Sequence, residues 1–385
     1  MKTAASPPTD RRLPYLMGMA AYSIHGMGAG LLGVAWPAIR DQFSLPLDAV
    51  GWLLLAFTIG HLISSFSNGR ILNHISLGAS LILGSFLSVL GTGLFVVAPA
   101  WWLLIPIGLV GGAGTGFVSP ALNTRIAATN SPGLMNWLHA AFGVGATLGP
   151  LAVTTIITGG LSWRLAYALV AGLHLLALLS FWWTRSFWSQ NSRQETTDTP
   201  KTAVSFRDTF ARPLTWLSIL IFFLYTGLEA STGQWSYVLF TEGRGASQAA
   251  AGAWVSIFWA TMTAGRLLAG AVTRRIGVDA SLRLCTITVV VGTLLLWLNP
   301  GDRSLYTLAI IGAGLSVIFP LLMTATPGRL GQAHAANAIG FQTAAAGMGA
   351  SILPHMRLVA RPRWLGHLKA SRRKSLRSRS GKKSE

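Results

Sequence analysis

Long apolar runs broken by short polar segments cover residues 14–38, 49–67, 78–98, 101–124, 135–158, 163–184, 213–240, 247–271, 279–298, 304–323 and 335–354. Each is close to the ~20 residues an α-helix needs to cross a bilayer core. The pattern therefore predicts eleven transmembrane helices. The first run is longer than a signal-peptide core and reads as a retained span. Residues 185–212 have no apolar periodicity and are rich in Ser, Thr and Gln, which suits a linker. The organisation expected is an N-terminal six-helix half (1–184), a cytoplasmic linker (185–212), a five-span C-terminal half (213–354) and a basic tail (355–385).

The two halves echo one another. Gly112-Ala113-Gly114 with Pro120 returns as Gly312-Ala313-Gly314 with Pro320, at an offset of 200. Gly143-Val144-Gly145 with Pro150 returns as Gly347-Met348-Gly349 with Pro354, at an offset of 204. Two echoes in one order predict a duplicated bundle, and parallel repeats of several spans are a transporter architecture. The fold class expected is all-α polytopic, two pseudo-repeated six-helix bundles with the last helix missing. Many glycines stand in small-x-x-x-small spacing, such as Gly26/Gly30, Gly112/Gly116 and Gly145/Gly149, which serves close helix packing in lipid. Prolines at matching places in both halves predict kinks.

Composition agrees, with 51% hydrophobic and 11% charged residues. The one cysteine, Cys285, excludes an intrachain disulfide or a thiolate metal cluster, and no cofactor or metal is expected. The net charge of +19 is misleading, because residues 355–385 hold eleven Lys/Arg against Glu385. With the N-terminus inside, the inner segments hold fifteen Lys/Arg and the outer loops hold Arg40, Arg164, Arg244 and Arg303. That bias predicts a multi-pass protein of the cytoplasmic (inner) membrane with a cytoplasmic N-terminus.

Glu229 is the acid that falls deep within a predicted span. A carboxylate there is costly when ionised, so it marks a proton-coupling site by default; pairing with Arg266 or simple hydrogen bonding is the structural alternative. The small and polar residues Ser231 to Gly233 are expected to break that helix. His25 is a second proton-carrying candidate. Asn123, Asn136, His139, Gln234, Trp235, Trp259, Asn337 and Gln342 lie in or beside these spans. Amides and indoles suit a polyhydroxylated ligand, the amides binding hydroxyls and the rings covering a sugar's C–H face. Gly69 and Arg70, and Gly265 and Arg266 followed by Arg274 and Arg275, are expected at the inner ends of spans two and eight as gate residues.

These features together resemble the major facilitator superfamily of secondary transporters over residues 14–354. Its loop signature is met as Gly69 to Asn73-His74 and as Gly270 to Arg274-Arg275 and Gly277, with the signature's aspartate absent from both. Glu229 with Gly233 and Trp235, and Asn136-Trp137-Leu138-His139 before the fifth-span glycines, are similar to the fucose-permease-like branch. That resemblance implies proton-coupled uptake of a small polar solute such as a sugar, by a monomer in the lipid bilayer. Gly145, Gly149 and Pro150 also resemble a motif of drug/proton antiporters, so efflux is the alternative. Enzyme motifs such as H-E-x-x-H and G-x-S-x-G are absent. The basic tail after Pro354 is read as a frame-shifted or truncated end, leaving an inactive transporter as a further alternative; nucleic-acid binding is not expected of it.

Overall fold

The computed structural model describes residues 12–71, 75–127, 132–189, 204–299 and 301–355. Among them every predicted span is helical, the tenth (304–323) with an interruption at Ser316-Val317. The first half holds α1 (Arg12–Gln42), α2 (Val50–Ile71), α3 (Leu77–Val97), α4 (Trp101–Ala127), α5 (Pro132–Thr158) and α6 (Trp163–Trp183). The linker region contributes two short helices, α7 (Arg185–Ser189) and α8 (Phe206–Phe210). The second half holds α9 (Pro213–Val238), α10 (Gln248–Ile276), α11 (Val278–Leu298), α12 (Thr307–Leu315), α13 (Ile318–Leu330) and α14 (Gln332–Ile352). Nine of the described helical segments are long and apolar enough to cross a membrane; α1 and α14 are not among the nine. Residues 356–385, with the expected frame-shifted tail, and Asn73-His74 lie outside the described residues, as do the surroundings of Gly69 and the side chains of Arg70 and Asn136.

The repeats seen in the sequence reappear as contacts. A Cβ on Gly112 would strike the Phe57 backbone of α2, and one on Gly312 the Phe258 backbone of α10. Gly114 faces Ser88 of α3, and Gly314 faces Val289 of α11. Gly145 faces the Ser23 carbonyl of α1, and Gly349 the Phe223 carbonyl of α9. Each partner pair keeps an offset of 200 or 201, so the glycines seat the same helix pairs in both halves. Only glycine admits such backbone approach, and without a hydrophobic drive between helices in lipid this packing carries the association.

The helices alternate in direction, so the bundle has a near end, holding the start of α1 and the short helices α7 and α8, and a far end. Three of the four arginines predicted in outer loops are bound at the far end. Arg164 donates to the carbonyls of Phe95, Val96 and Ala98, capping α3. Arg244 donates to the carbonyls of Leu296 and Asn299 and to the Ser304 hydroxyl, capping α11. Arg40 pairs with Glu242 at 3.0 Å, joining the end of α1 to the segment that follows α9. Cations at helix C-termini satisfy free carbonyls and the helix dipole, which is why these arginines stand against the charge bias.

The halves differ at their flanks. In the first half α6 lies against α3 and α1, and Trp188 of α7 closes a socket on Gly18 and Leu122. The counterpart of that socket, at offsets of 200 to 204, is an open cleft lined by Leu217, Ser218, Phe222, Leu322, Thr326 and Gln342. No described element covers α11 as α6 covers α3. Accordingly 39% of the apolar window of α3 is buried, against 17% for α11.

Candidate transport site

Pro320 shapes the site. Proline offers no N–H to the carbonyl four residues back and crowds it; α12 ends at Leu315 and α13 begins at Ile318, so the predicted tenth span is broken. Two neighbouring helices serve the freed carbonyls. Tyr225 of α9 donates its hydroxyl to Leu315 O at 2.8 Å. Arg266 of α10 donates Nε to Ser316 O at 3.2 Å, and its Nη2 reaches Glu229 Oε1 at 3.4 Å. Gly265 permits this approach, because a Cβ there would strike the Ser316 side chain. The result is a largely buried ion pair fastened to a helix break.

One turn beyond Glu229, Gly233 lies under the Trp259 indole, and Gly33 of α1 meets the backbone of Gly233 and Gln234. Gln234 and Trp259 are each 6% exposed. Gln234 Nε2 and Trp259 Nε1 nevertheless have no hydrogen-bond partner among the described residues. A buried donor left unpaired costs about 1–3 kcal/mol, and both of these lie where α1, α9 and α10 meet at the contact of the halves. His139, exposed on α5, stands within electrostatic reach of Arg266.

The other expected residues are placed elsewhere. His25 is buried among α1, α3 and α6, with Nδ1 on the Ala21 carbonyl at 2.9 Å and its ring 4.9 Å from that of His174. Asn123 donates to Ser119 O of its own helix. Trp235 donates to the Pro354 carbonyl at 2.9 Å, tying α9 to the end of α14. Asn337 binds Val204 O and Thr209 Oγ1 and so anchors α8, while Gln342 accepts from Thr326 at 3.1 Å between α13 and α14. Arg274 and Arg275 are exposed in the last turn of α10.

Two expectations need correction. Helix α9 runs unbroken through Ser231 to Gly233, since each residue there keeps a helical partner; the break is at Ser316-Val317, where proline removes one. Gly265 and Arg266 are not at the end of their span, because α10 continues ten residues further to Ile276, about 15 Å at helical rise. Tyr225 and Ser316 were missed. The signal for Ser316 was available in its place four residues before Pro320.

A model of the Major Facilitator Superfamily matches residues 18–354. The chain is 21% identical to Bypass of stop codon protein 6 of Saccharomyces cerevisiae, covering 69% of this chain and 58% of the yeast protein, so it spans under two thirds of that relative's length. It is 22% identical to the glucose/mannose transporter GlcP of Bacillus subtilis, over 80% of this chain and 79% of that protein. Among solved structures, a point mutant of the nucleoside transporter NupG superposes with a TM-score of 0.71 at 12% identity, covering 90% of each chain. FucP in its outward conformation superposes at 0.59 and 17% identity, covering 90% of this chain and 96% of that one; these likenesses speak for the fold alone. With the family model spanning both halves and the duplicated helix contacts in place, the chain belongs to the Major Facilitator Superfamily of membrane transporters.

Proposed function

We propose that the protein moves a small polar solute, a sugar being the best fit, across the cytoplasmic membrane by proton-coupled alternating access. The observation that carries this reading is the Glu229–Arg266 pair set on the broken helix beside two unpartnered buried donors. Gln234 Nε2 and Trp259 Nε1 supply donors to hydroxyl oxygens, Glu229 an acceptor, and the Trp259 ring an apolar face. A sugar offers all the complementary groups. GlcP, by its name, handles glucose and mannose, which supports the same class.

Coupling follows from electrostatics. Protonated Glu229 no longer attracts Arg266 as a carboxylate does, so uptake of a proton loosens the hold on Ser316 and hence on the junction of α12 and α13. Loss of the proton restores the pair. Far-end contacts close the halves here: Arg40 with Glu242, Gly252 on Thr154, and Gly33 on Gln234. We assign the far end to the outside and the N-terminus to the cytoplasm, which makes this the inward-facing state of the cycle.

The test is transport in proteoliposomes with labelled glucose and mannose. Wild type is expected to accumulate sugar when an inward proton gradient is imposed. Glu229→Gln is expected to retain sugar exchange and lose accumulation. Uphill transport unchanged in Glu229→Gln refutes the coupling role, and absence of both exchange and accumulation in wild type refutes the sugar.

A further inference from the structure

The two halves treat one near-end site differently. In the first half the buried Trp188 indole lies on Gly18 of α1, 3.1 Å from where a Cβ would stand, beside Leu122 of α4. An offset of 200 carries Gly18 to Ser218 of α9 and Leu122 to Leu322 of α13. There no described side chain takes the place of the indole, and a cleft of about 80 Å³ stays open. One water needs roughly 10–15 Å³, so the space is ample. Its walls are mostly aliphatic, however, and suit hydrocarbon better than water.

The position of the cleft fits one leaflet of a bilayer. Its α9 wall runs from Leu214, in the first turn of that helix, to Phe222, about 12 Å at helical rise. Half of the hydrocarbon core is about 15 Å deep. Leu214, Leu217, Leu220 and Leu224 form an exposed stripe at helical spacing along the same helix, the character of a lipid-facing surface. The near-end mouth is cationic. Arg329, in the last turn of α13, lines it, and Arg212 donates to the Leu330 carbonyl at 2.9 Å, bringing a second guanidinium to the rim. Asp279 of α11 meets Arg329 at 3.0 Å, and Arg283 follows Asp279 by one turn on the same helix face. Three guanidinium groups against one carboxylate leave this end of the cleft positive.

We propose that this cleft binds an anionic phospholipid from the near-end leaflet. One acyl chain lies between α9 and α13, in the place that Trp188 fills in the first half, and the phosphate sits at Arg329 and Arg212. Charge selects the headgroup: a zwitterionic lipid brings its own cation to a positive rim, whereas an anionic one does not. Asp279 is no obstacle, because its pair with Arg329 is solvent-exposed on both sides and such pairs are weak enough to exchange partners. Seated there, the chain closes the gap that separates α13 from α9 on the near side of the break at Ser316-Val317. The site is independent of which solute the protein carries.

Photolabelling of the full chain tests the site. The protein is placed in phosphatidylcholine nanodiscs doped with a phosphatidylglycerol probe that carries a diazirine on one acyl chain. Adducts are expected to concentrate on the peptides 213–222 and 318–330, and unlabelled phosphatidylglycerol should displace the probe about fivefold better than phosphatidylcholine does. Arg329→Gln, at an exposed position, should remove most of that preference. Ser218→Trp, which puts an indole into the cleft, should abolish the adducts on both peptides at an unchanged melting temperature; if it fails to fold, the competition and Arg329→Gln decide. Adducts spread evenly over exposed faces such as that of α11 overturn the proposal, as does equal competition by the two lipids or a preference untouched by Arg329→Gln. Cleft peptides shielded from the probe and cross-linked instead to residues 356–385 overturn it in favour of the chain's own tail.

Discussion

Breaking the Glu229–Arg266 pair one partner at a time gives unequal costs. At the observed 3.4 Å, two unit charges attract by about 5 kcal/mol at an effective dielectric constant near 20. Desolvation opposes this, and solvent still reaches 17% of Glu229 and 25% of Arg266, so the net value is smaller. Removing one member of a buried pair costs about 3–5 kcal/mol because the other charge is stranded. Arg266→Met strands Glu229 and also leaves Ser316 O without its donor, which adds about 1–3 kcal/mol. Glu229→Gln leaves Arg266 with Ser316 and is milder. The double variant strands no charge and should be more stable than Arg266→Met alone by about 2 kcal/mol, a rescue that isolated contacts do not give. Equilibrium unfolding of all four proteins in one detergent or lipid closes the cycle. Losses that add within about 0.5 kcal/mol refute the pair as an energetic unit.

Gly145→Ala should destabilise by about 1–3 kcal/mol, since its Cβ meets the Ser23 carbonyl; Gly172→Ala, with open space around it, is the control and should leave the melting temperature nearly unchanged. Trp188→Ala should cost about 3–5 kcal/mol in thermal or denaturant unfolding, because it empties the socket on Gly18 and Leu122. Arg40→Ala loosens the far-end closure by about 0.2–1 kcal/mol, as expected of an exposed pair. Distances between spin labels across the far end should then shift toward the open population, and more so at low salt, where the wild-type pair is stronger.

The fold was legible because lipid imposes a simple rule: a span must be apolar and about 20 residues long, and its close contacts need small residues. Gly112 and Gly312 announced both the duplication and the contacts that realise it. Glu229 was legible for the same reason, as a costly charge in an apolar run. Arg266 was misread because a basic residue near a predicted span end looks like loop charge, and the sequence does not show that α10 continues to Ile276. Trp235, Asn337 and Gln342 were selected by chemical type, but type does not reveal a partner. Their actual partners are the Pro354 carbonyl, Val204 with Thr209, and Thr326, at separations in sequence of up to 133 residues. Such pairings are decided by helix rotation, which a run of apolar residues leaves undetermined.

One proline position has two outcomes in this chain, and the difference explains where the charges are. Helix α4 passes through Pro120 unbroken, and the Gly116 carbonyl is served by the short Ser65 hydroxyl lying close against it. The equivalent span breaks before Pro320, and its carbonyls are served by the longer side chains of Tyr225 and Arg266. A hydroxyl reaches the carbonyl without displacing the backbone; a guanidinium needs room, and the turn through Ser316 and Val317 supplies it. Cutting the helix exposes two acceptors, of which Ser316 O holds the cation and Leu315 O takes the Tyr225 hydroxyl, and the cation makes a buried carboxylate tolerable at Glu229. In the first half nothing calls for a cation at Gly116, so the carboxylate has no counterpart there, and the residue at its place in the repeat is Ala29. The break, the arginine and the acid are thus one feature: Pro320→Ala, by returning an N–H to Ser316 O, should weaken the Arg266 anchor, whereas Pro120→Ala should leave Ser65 where it is.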